Sequence, residues 1–155
     1  MSMGVDPGSL GAAVFKDTVI HHIYSFSGKE RPRIARDLHA LIQKWNVKKA
    51  YIEDVWSVES SFMRVKQIAG FSKNIQMVHT VCDVNNVEIV SVLPKAWQKH
   101  FGGVNKKVEG GEEKIKQMAA VLAPAVKIKR IDEAEAILIL EAGIALEKNE
   151  HTKPI

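Results

Sequence analysis

The sequence predicts an α/β fold in which helices cover both faces of a five-stranded mixed sheet. Residues 1–26 contain three short apolar segments separated by turn-forming residues, which indicates a meander of three antiparallel strands. Two further strand-like segments each follow a segment with helical spacing, and such crossovers add strands in parallel. Three helical segments complete the predicted order β-β-β-α-β-α-β-α-α-α.

The predicted strands are short and bounded by turn residues. The first ends at Asp6, where Pro7-Gly8 signals a tight turn. The other strands are predicted over residues 12–15, 19–26, 50–55 and 87–93. Alternation along the third strand would place His21 and His22 on opposite faces of the sheet. Neither histidine has a partner at metal-ligand spacing, so we interpret both as structural.

Five segments have apolar residues at the spacing of an amphipathic helix. The first begins at Pro32, a residue that suits the first helical turn, and extends to Trp45. The others are predicted over residues 60–84, 95–101, 112–122 and 132–148. We expect one domain over residues 1–148 and a frayed tail over residues 149–155.

The composition fits a single cytoplasmic domain. The chain has 155 residues, of which 46% are hydrophobic, and this is enough to bury a core. The one cysteine, Cys82, excludes an internal disulfide and a paired-cysteine zinc site. We find no apolar run long enough to span a bilayer and no secretory signal, so we expect no membrane association.

Basic residues are concentrated in the last part of the chain. The segment from Lys95 to Arg130 has nine Lys or Arg residues and three Glu residues, a net charge of +6, whereas the whole chain is +4. Such a segment favours a phosphate-bearing partner, although a solvated basic face would look the same. The candidate DNA-binding lysines are Lys95, Lys99, Lys106, Lys107, Lys114 and Lys116.

Four carboxylates stand where strands end or a helix begins. Asp6 ends the first strand and Glu53 ends the fourth, and a helix-linked parallel pair would make these strands neighbours. Asp132 and Glu135 open the last helix three residues apart and therefore share one of its faces. If that helix starts over the same edge of the sheet, all four carboxylates converge.

Each of these acids has a structural alternative. Asp6 begins an Asp-Pro-Gly sequence that is common in plain turns. Asp132-x-x-Glu135 has the spacing of a capping box, in which the acids serve only the helix N-terminus. Asp54 could replace Glu53 as the functional acid, and Glu133 could replace one of its neighbours.

Four converging carboxylates would repel one another strongly, and hard divalent cations that take oxygen ligands would relieve that repulsion. Two Mg²⁺ or Mn²⁺ ions about 4 Å apart can activate a water and stabilise the leaving oxygen of a phosphodiester. The basic segment would then hold the nucleic acid. The sequence therefore predicts a metal-dependent nuclease.

Three segments of the chain resemble the RuvC family of Holliday-junction resolvases, within the RNase H-like superfamily, and most closely its small phage-type members. Gly-Val-Asp-Pro-Gly-Ser at residues 4–9 is similar to the family's opening Gly-Ile-Asp-Pro-Gly-Ser. Ile-Glu-Asp-Val-Trp at residues 52–56 is similar to its Ile-Glu-x-Val-Phe. Asp-Glu-Ala-Glu-Ala at residues 132–136 is similar to its Asp-x-Ala-Asp-Ala, with Glu135 in place of the usual Asp.

The resemblance implies an RNase H-like fold, a homodimer and Mg²⁺-dependent cutting of symmetric strands at a four-way DNA junction. It implies that Asp6, Glu53, Asp132 and Glu135 form the metal site. It also places Trp56 where the family has a Phe that wedges into the junction core, and Lys114 where the family has a lysine near the scissile phosphate.

We therefore expect a crossover junction endodeoxyribonuclease that acts in a bacterial or phage-infected cell and uses no nucleotide cofactor. Paired nicks would leave 5′-phosphate and 3′-hydroxyl ends. The alternatives are a related nuclease that acts on RNA and a junction-binding protein without catalysis. The phosphate loop of an actin-like or sugar-kinase ATPase also begins with Asp-x-Gly, but that fold needs two such domains and 155 residues supply one.

Overall fold

The computed structural model describes residues 1–55 and 65–151. Trp56 and the first residues of the long helix predicted from residue 60 lie outside the described residues. The strands are β1 (Ser2–Asp6), β2 (Ala12–Lys16), β3 (Ile20–Ser25), β4 (Lys49–Glu53) and β5 (Glu88–Val92). The helices are α1 (Arg31–Lys44), α2 (Val65–Val84), α3 (Pro94–His100), α4 (Gly111–Leu122) and α5 (Ile131–His151).

The five strands form one mixed sheet in the order β3-β2-β1-β4-β5. The first three strands pair antiparallel, and β4 pairs parallel with both β1 and β5. The predicted α/β class, element order and parallel β1–β4 neighbourhood are therefore confirmed. Since Val5 lies opposite Ile52 in that pair, Asp6 and Glu53 both end their strands at the same edge of the sheet.

Helices cover both faces of the sheet, as predicted. Alternate strand residues face opposite sides, so the sheet contributes to two separate buried clusters. In one cluster, sheet residues such as Met3 and Phe15 pack with Leu38 of α1 and Val78 of α2. In the other cluster, sheet residues pack with side chains of α3, α4 and α5, among them Trp97, Ile115, Ile137 and Leu140.

Helix α5 lies directly on the centre of the sheet because two glycines remove side chains between them. A Cβ at Gly4 of β1 would overlap the side chain of Leu140 and come within 2.8 Å of the Ala136 carbonyl oxygen. A Cβ at Gly143 would lie 2.5 Å from the ring of Tyr51 in β4. This close packing fixes where α5 starts relative to the ends of β1 and β4.

Two sequence expectations differ from the structure. Helix α5 continues to His151, so residues 149–151 of the predicted frayed tail are helical. Glu147, which binds Lys49 and Tyr51 of β4, anchors this end of the helix.

In β3 the pairing register shifts beside Phe15, and His21 is the extra residue. The rings of His21 and His22 therefore contact Trp45 and Phe15, which belong to the same layer, and do not occupy opposite faces.

No helix within residues 1–55 and 65–151 is long and apolar enough to cross a membrane.

Candidate metal centre

The four carboxylates that the sequence singles out line one cleft of about 240 Å³ at the edge where β1 and β4 end. Asp6 and Glu53 come from the ends of these two strands, and Asp132 and Glu135 come from the start of α5. Asp6, Asp132 and Glu135 each offer an oxygen, and these oxygens lie within 4.8 Å of one another. Two elements, β1 and α5, thus bring three acids together, and β4 adds Glu53 to the same cleft.

The turn after β1 orients the Asp6 carboxylate. Its Oδ1 atom accepts a hydrogen bond of 3.0 Å from the backbone N–H of Gly8, as in an ordinary Asx turn. Asp6 is nevertheless only 5% exposed, and it lies among the other acids of the cleft. The turn and site interpretations of Asp6 are therefore compatible.

Glu53 is held by a residue whose role the sequence did not reveal. The indole Nε1 of Trp97, in α3, donates a hydrogen bond of 2.8 Å to the Glu53 Oε1 atom. Trp97 is 1% exposed, so its ring is fixed by the core while its N–H points at the cleft. The one local signal was a tryptophan in the short helix directly after β5, the strand beside β4.

Burial and mutual repulsion disfavour the charged forms of Asp6, Glu53 and Glu135. Burial raises the pKa of Asp6 well above its ordinary value, and Glu53, Glu135 and Asp132 raise it further. Burial also raises the pKa of Glu53, an effect that the Trp97 hydrogen bond opposes and the Glu135 charge reinforces. The pKa of Glu135 is raised by burial as well, although Lys106 opposes the shift.

The donor set fits a hard divalent cation. Every candidate ligand is a carboxylate oxygen, which suits Mg²⁺ or Mn²⁺ and not a metal that prefers sulfur or imidazole. Carboxylates that hold their protons more tightly than usual are also the groups that a divalent cation would stabilise in charged form.

Lys106 is the lysine that the structure places among the acids. Its Nζ atom lies 2.9 Å from Glu135 Oε2, and its side chain lines the cleft. Burial lowers the pKa of Lys106, but the carboxylates of Glu135, Asp6 and Asp132 outweigh burial and raise it above its usual value. Lys106 therefore stays charged in the cleft.

Lys114 is not brought to this cleft. It is exposed near the start of α4 and is not among the residues that line the cleft. Its assignment near the scissile phosphate stays a prediction, and Lys106 occupies the cleft instead.

The remaining candidates for DNA contact are outside the cleft. Lys95 and Lys99 are exposed on α3, and Lys107 is exposed in the loop that follows. Lys116 of α4 forms a 3.1 Å ion pair with Glu112. Trp56, the expected wedge residue, lies outside the described residues.

The alternative acids are placed elsewhere. Asp54 lines a different pocket, together with Ile75 and His79 of α2. Glu133 Oε2 accepts hydrogen bonds from the backbone N–H groups of Lys129, at 2.6 Å, and Arg130, at 3.2 Å. Glu133 thus serves the start of α5, as a capping residue would, and leaves Asp132 and Glu135 facing the cleft.

Comparison with solved structures identifies the fold. The RuvC protein of Thermus thermophilus, solved in complex with a Holliday junction substrate, superposes with a TM-score of 0.72 over 99% of this chain and 98% of its own, at 13% identity. The chain has the RuvC fold. The yeast mitochondrial Holliday junction resolvase Ydc2 matches with a TM-score of 0.58 at 15% identity, over 97% of this chain and 80% of its own.

These likenesses confirm the RNase H-like fold class that the sequence predicts. A second structure of Thermus thermophilus RuvC superposes with a TM-score of 0.68 at 14% identity and covers 99% of both chains. No family model matches the chain, and no curated protein matches it in sequence. The likeness to RuvC is therefore visible in the backbone and in three short motifs.

Proposed function

We propose that the chain is a Mg²⁺-dependent endonuclease that resolves four-way DNA junctions by paired symmetric nicks. The observation that supports this is the meeting of Asp6, Glu53, Asp132 and Glu135 in one cleft of a RuvC fold. The similar Thermus thermophilus protein was solved with a Holliday junction substrate, which makes branched DNA the first substrate to test.

The chain's own residues would hold two Mg²⁺ ions, or Mn²⁺ in their place, through the four carboxylates. Such ions supply an activated water and stabilise the leaving oxygen of a phosphodiester. Trp97 orients Glu53 through its indole N–H, and the Gly8 N–H orients Asp6. Lys106 is close enough to Glu135 to reach a phosphate bound between the acids.

The proposed reaction is hydrolysis. An oxygen–phosphorus bond forms between water and the scissile phosphate, and the bond from phosphorus to the 3′-oxygen breaks. The water oxygen stays on the 5′-phosphate, and the 3′-oxygen takes up a proton to become a hydroxyl. Ends of this kind can be rejoined directly by a ligase.

Paired nicks require two active sites related by twofold symmetry, so we propose a homodimer. Trp56 would stack on an opened base pair at the junction centre, and Lys95, Lys99, Lys107, Lys114 and Lys116 would contact the DNA backbone. The site of action would be the cytoplasm of a bacterium, with or without an infecting phage.

The test uses a labelled immobile four-way junction incubated with Mg²⁺, Mn²⁺ or EDTA. Wild type is compared with Asp6→Asn, which removes one candidate ligand, and with the control Asp54→Asn, which changes the neighbouring acid outside the cleft. We expect symmetric, ligatable nicks from wild type and Asp54→Asn in either metal, and none from Asp6→Asn or in EDTA.

Two results would overturn the proposal. Tight junction binding without cutting in any metal would indicate a binding protein without catalysis. Cutting of RNA in preference to the junction, tested with matched RNA and DNA substrates, would indicate a nuclease of the RNA-processing type.

A further inference from the structure

A second depression of about 570 Å³, which we call the edge groove, lies beside the metal centre. It runs between β3, the free edge strand of the sheet, and the connector that joins α4 to α5. Its charged lining consists of Lys127, Lys129, Arg130 and Glu133, and its floor includes Ile23 and Val126. None of the four acids of the metal centre (Asp6, Glu53, Asp132 and Glu135) lines the groove.

The connector turns its lysines outward. Val126 and Ile128 are half-buried and pack against the core beneath α5. The intervening Lys127 and Lys129 are exposed, as alternation along an extended segment requires. Neither lysine forms an ion pair with a carboxylate within residues 1–55 and 65–151, so both ammonium groups are available to a partner.

The acid in the groove does not cancel this charge at the surface. Glu133 is 5% exposed, and its Oε2 atom accepts the two backbone N–H groups that precede α5. The ammonium groups of Lys127 and Lys129, by contrast, face solvent. The surface that a ligand would meet is therefore positive.

The edge groove approaches the metal centre at Arg130 and at the end of β3. Arg130 lines the groove, and its Nε atom lies 3.6 Å from Oδ2 of Asp132. At the sheet, Asp6 is opposite Ala12, and Ala12 is opposite Ser25, which also lines the groove. A polymer bound at the acids would pass Arg130 before it reaches the groove.

Positively charged residues lie on both sides of the four acids, as a nucleic acid strand that crosses the acids would require. On the β5 side, the cleft is bordered by Lys106 and is followed by the exposed lysines of α3. On the β3 side, Arg130 lies beside Asp132 and lines the groove together with Lys127 and Lys129. A cluster of carboxylates repels phosphate, so cations on both sides are needed to hold a strand across it.

We propose that the edge groove binds the phosphodiester backbone of the strand that is cut, on the side of the scissile phosphate away from α3. The proposal rests on the proposed function for its substrate, DNA. It adds Lys127 and Lys129 as backbone contacts and assigns β3 and the α4–α5 connector to the DNA interface.

The first test measures binding in EDTA, where no cutting occurs, to a four-way junction and to a linear duplex. The groove variant Lys127→Ala/Lys129→Ala is compared with Lys48→Ala/Lys148→Ala, which removes the same charge from exposed positions near the start of β4, at the end of the strands away from the acids. Log affinity falls as log salt rises, and each lost phosphate contact makes this dependence shallower by about 0.9. We expect the groove variant to lose about 1 to 2 units of slope and about tenfold in affinity, and the control to match wild type.

The second test locates the DNA. Cys82 is buried and its pKa is raised to about 12 by burial, so it will not compete with an introduced surface thiol. Lys127→Cys, labelled with a photocrosslinker, should attach to the cut strand within a few nucleotides of the nick, and Lys148→Cys should not. Melting temperatures of all variants should equal that of wild type.

Equal losses in the groove and control variants, or a groove variant with the wild-type slope, would overturn the proposal. So would crosslinks from Lys127→Cys that map to the uncut strand or match those of Lys148→Cys. Failure to bind any DNA would overturn it together with the proposed function. DNA binding through the groove without junction cleavage would overturn only the proposed function.

Discussion

Acids of α5 pack against the sheet along the whole helix, but the groups that they contact differ between its two ends. In the middle of the helix, Glu141 pairs with Lys16 of β2, and near the C-terminal end Glu147 binds Lys49 and Tyr51 of β4. At its N-terminal end, Asp132 and Glu135 face Asp6, with Glu53 in the same cleft. The side chains of Glu135, Glu141 and Glu147 are 7%, 16% and 21% exposed, so burial alone does not separate the two ends.

The difference lies in charge balance. Glu141 and Glu147 each pair with one lysine, so the charge of each acid is balanced. In the described part of the chain, the four acids of the cleft meet two cations, Lys106 near Glu135 and Arg130 near Asp132. The remaining negative charge is what a bound divalent cation would neutralise, which is why this end is assigned to function and the other to stability.

The largest expected effect is on the cleavage rate, and it is measured by making the same Glu→Gln change separately near each end of α5, as Glu135→Gln and as Glu147→Gln. We expect Glu135→Gln to lower the cleavage rate by about 1000-fold or more, about 4 kcal/mol, because a proposed metal ligand is removed. Its melting temperature should not fall, since a buried charge with a raised pKa has been removed. Glu147→Gln should melt a few degrees lower and cut at the wild-type rate, because Lys49 and Tyr51 lose their acceptor charge.

Junction cleavage rates and thermal melts of both variants check this comparison. A Glu147→Gln enzyme that loses activity without losing stability, or a Glu135→Gln enzyme that keeps activity, would contradict the assignment of the two ends.

The next effect is on metal-free stability. The raised pKa values of Asp6, Glu53 and Glu135 mean that the folded protein holds protons to higher pH than the unfolded chain, whose ordinary values are 3.8 for Asp and 4.5 for Glu. The binding of these protons stabilises the folded protein. This stabilisation is complete below the unfolded-state pKa values and is lost as pH rises through the raised pKa values of the folded state. Mg²⁺ at a hundred times its Kd should restore about 2.7 kcal/mol at neutral pH.

Urea unfolding across a pH series, in EDTA and in Mg²⁺, measures both parts of this prediction. Glu135→Gln should show a weaker pH dependence in EDTA and a smaller gain from Mg²⁺ than wild type. A stability that rises with pH through this range in EDTA would contradict the charge argument.

A smaller effect is expected from Trp97→Phe, which keeps an aromatic ring but removes the N–H that Glu53 accepts. Loss of a hydrogen bond that orients a ligand lowers metal affinity or activity by about 10-fold or more. The concentration of Mg²⁺ at half-maximal cleavage should therefore rise, with junction binding in EDTA unchanged. Trp45→Phe is the matched control, because the Trp45 Nε1 atom has no hydrogen-bond partner within the described residues. An equal Mg²⁺ dependence of cleavage in the two variants would contradict the role of Trp97.

The smallest effect is expected from Tyr51→Phe at the C-terminal end of α5. The buried hydroxyl of Tyr51 donates to Glu147, and its removal should lower the free energy of unfolding by about 1 to 2 kcal/mol. Cleavage and Mg²⁺ dependence should stay at wild-type values. A change in Mg²⁺ dependence would show that the two ends of α5 are coupled.

The local patterns of the chain were enough to predict the order of strands and helices. Turn signals after Asp6 and apolar periodicity around α1 and α5 are properties of neighbouring residues, so they can be read directly. Asp6, Glu53, Asp132 and Glu135 were singled out for the same reason, since each stands at a strand end or a helix start. The apolar periodicity predicted the end of α5 at residue 148, three residues early, because the last residues of the helix, 149–151, are all polar.

The contacts that distinguish the acids were decided by the tertiary structure. Trp97 meets Glu53 across 44 residues of sequence, and Lys106 meets Glu135 across 29. Which of two adjacent acids faces the cleft was also settled there: Glu133 turns back to the backbone before α5, and Asp54 lies beside α2. The sequence by itself determined which elements form and which acids stand at their ends, because these depend on local spacing. Only the packing of α5 on β1 and β4 decided which acids meet one another and which meet a lysine, because that depends on distances between remote parts of the chain.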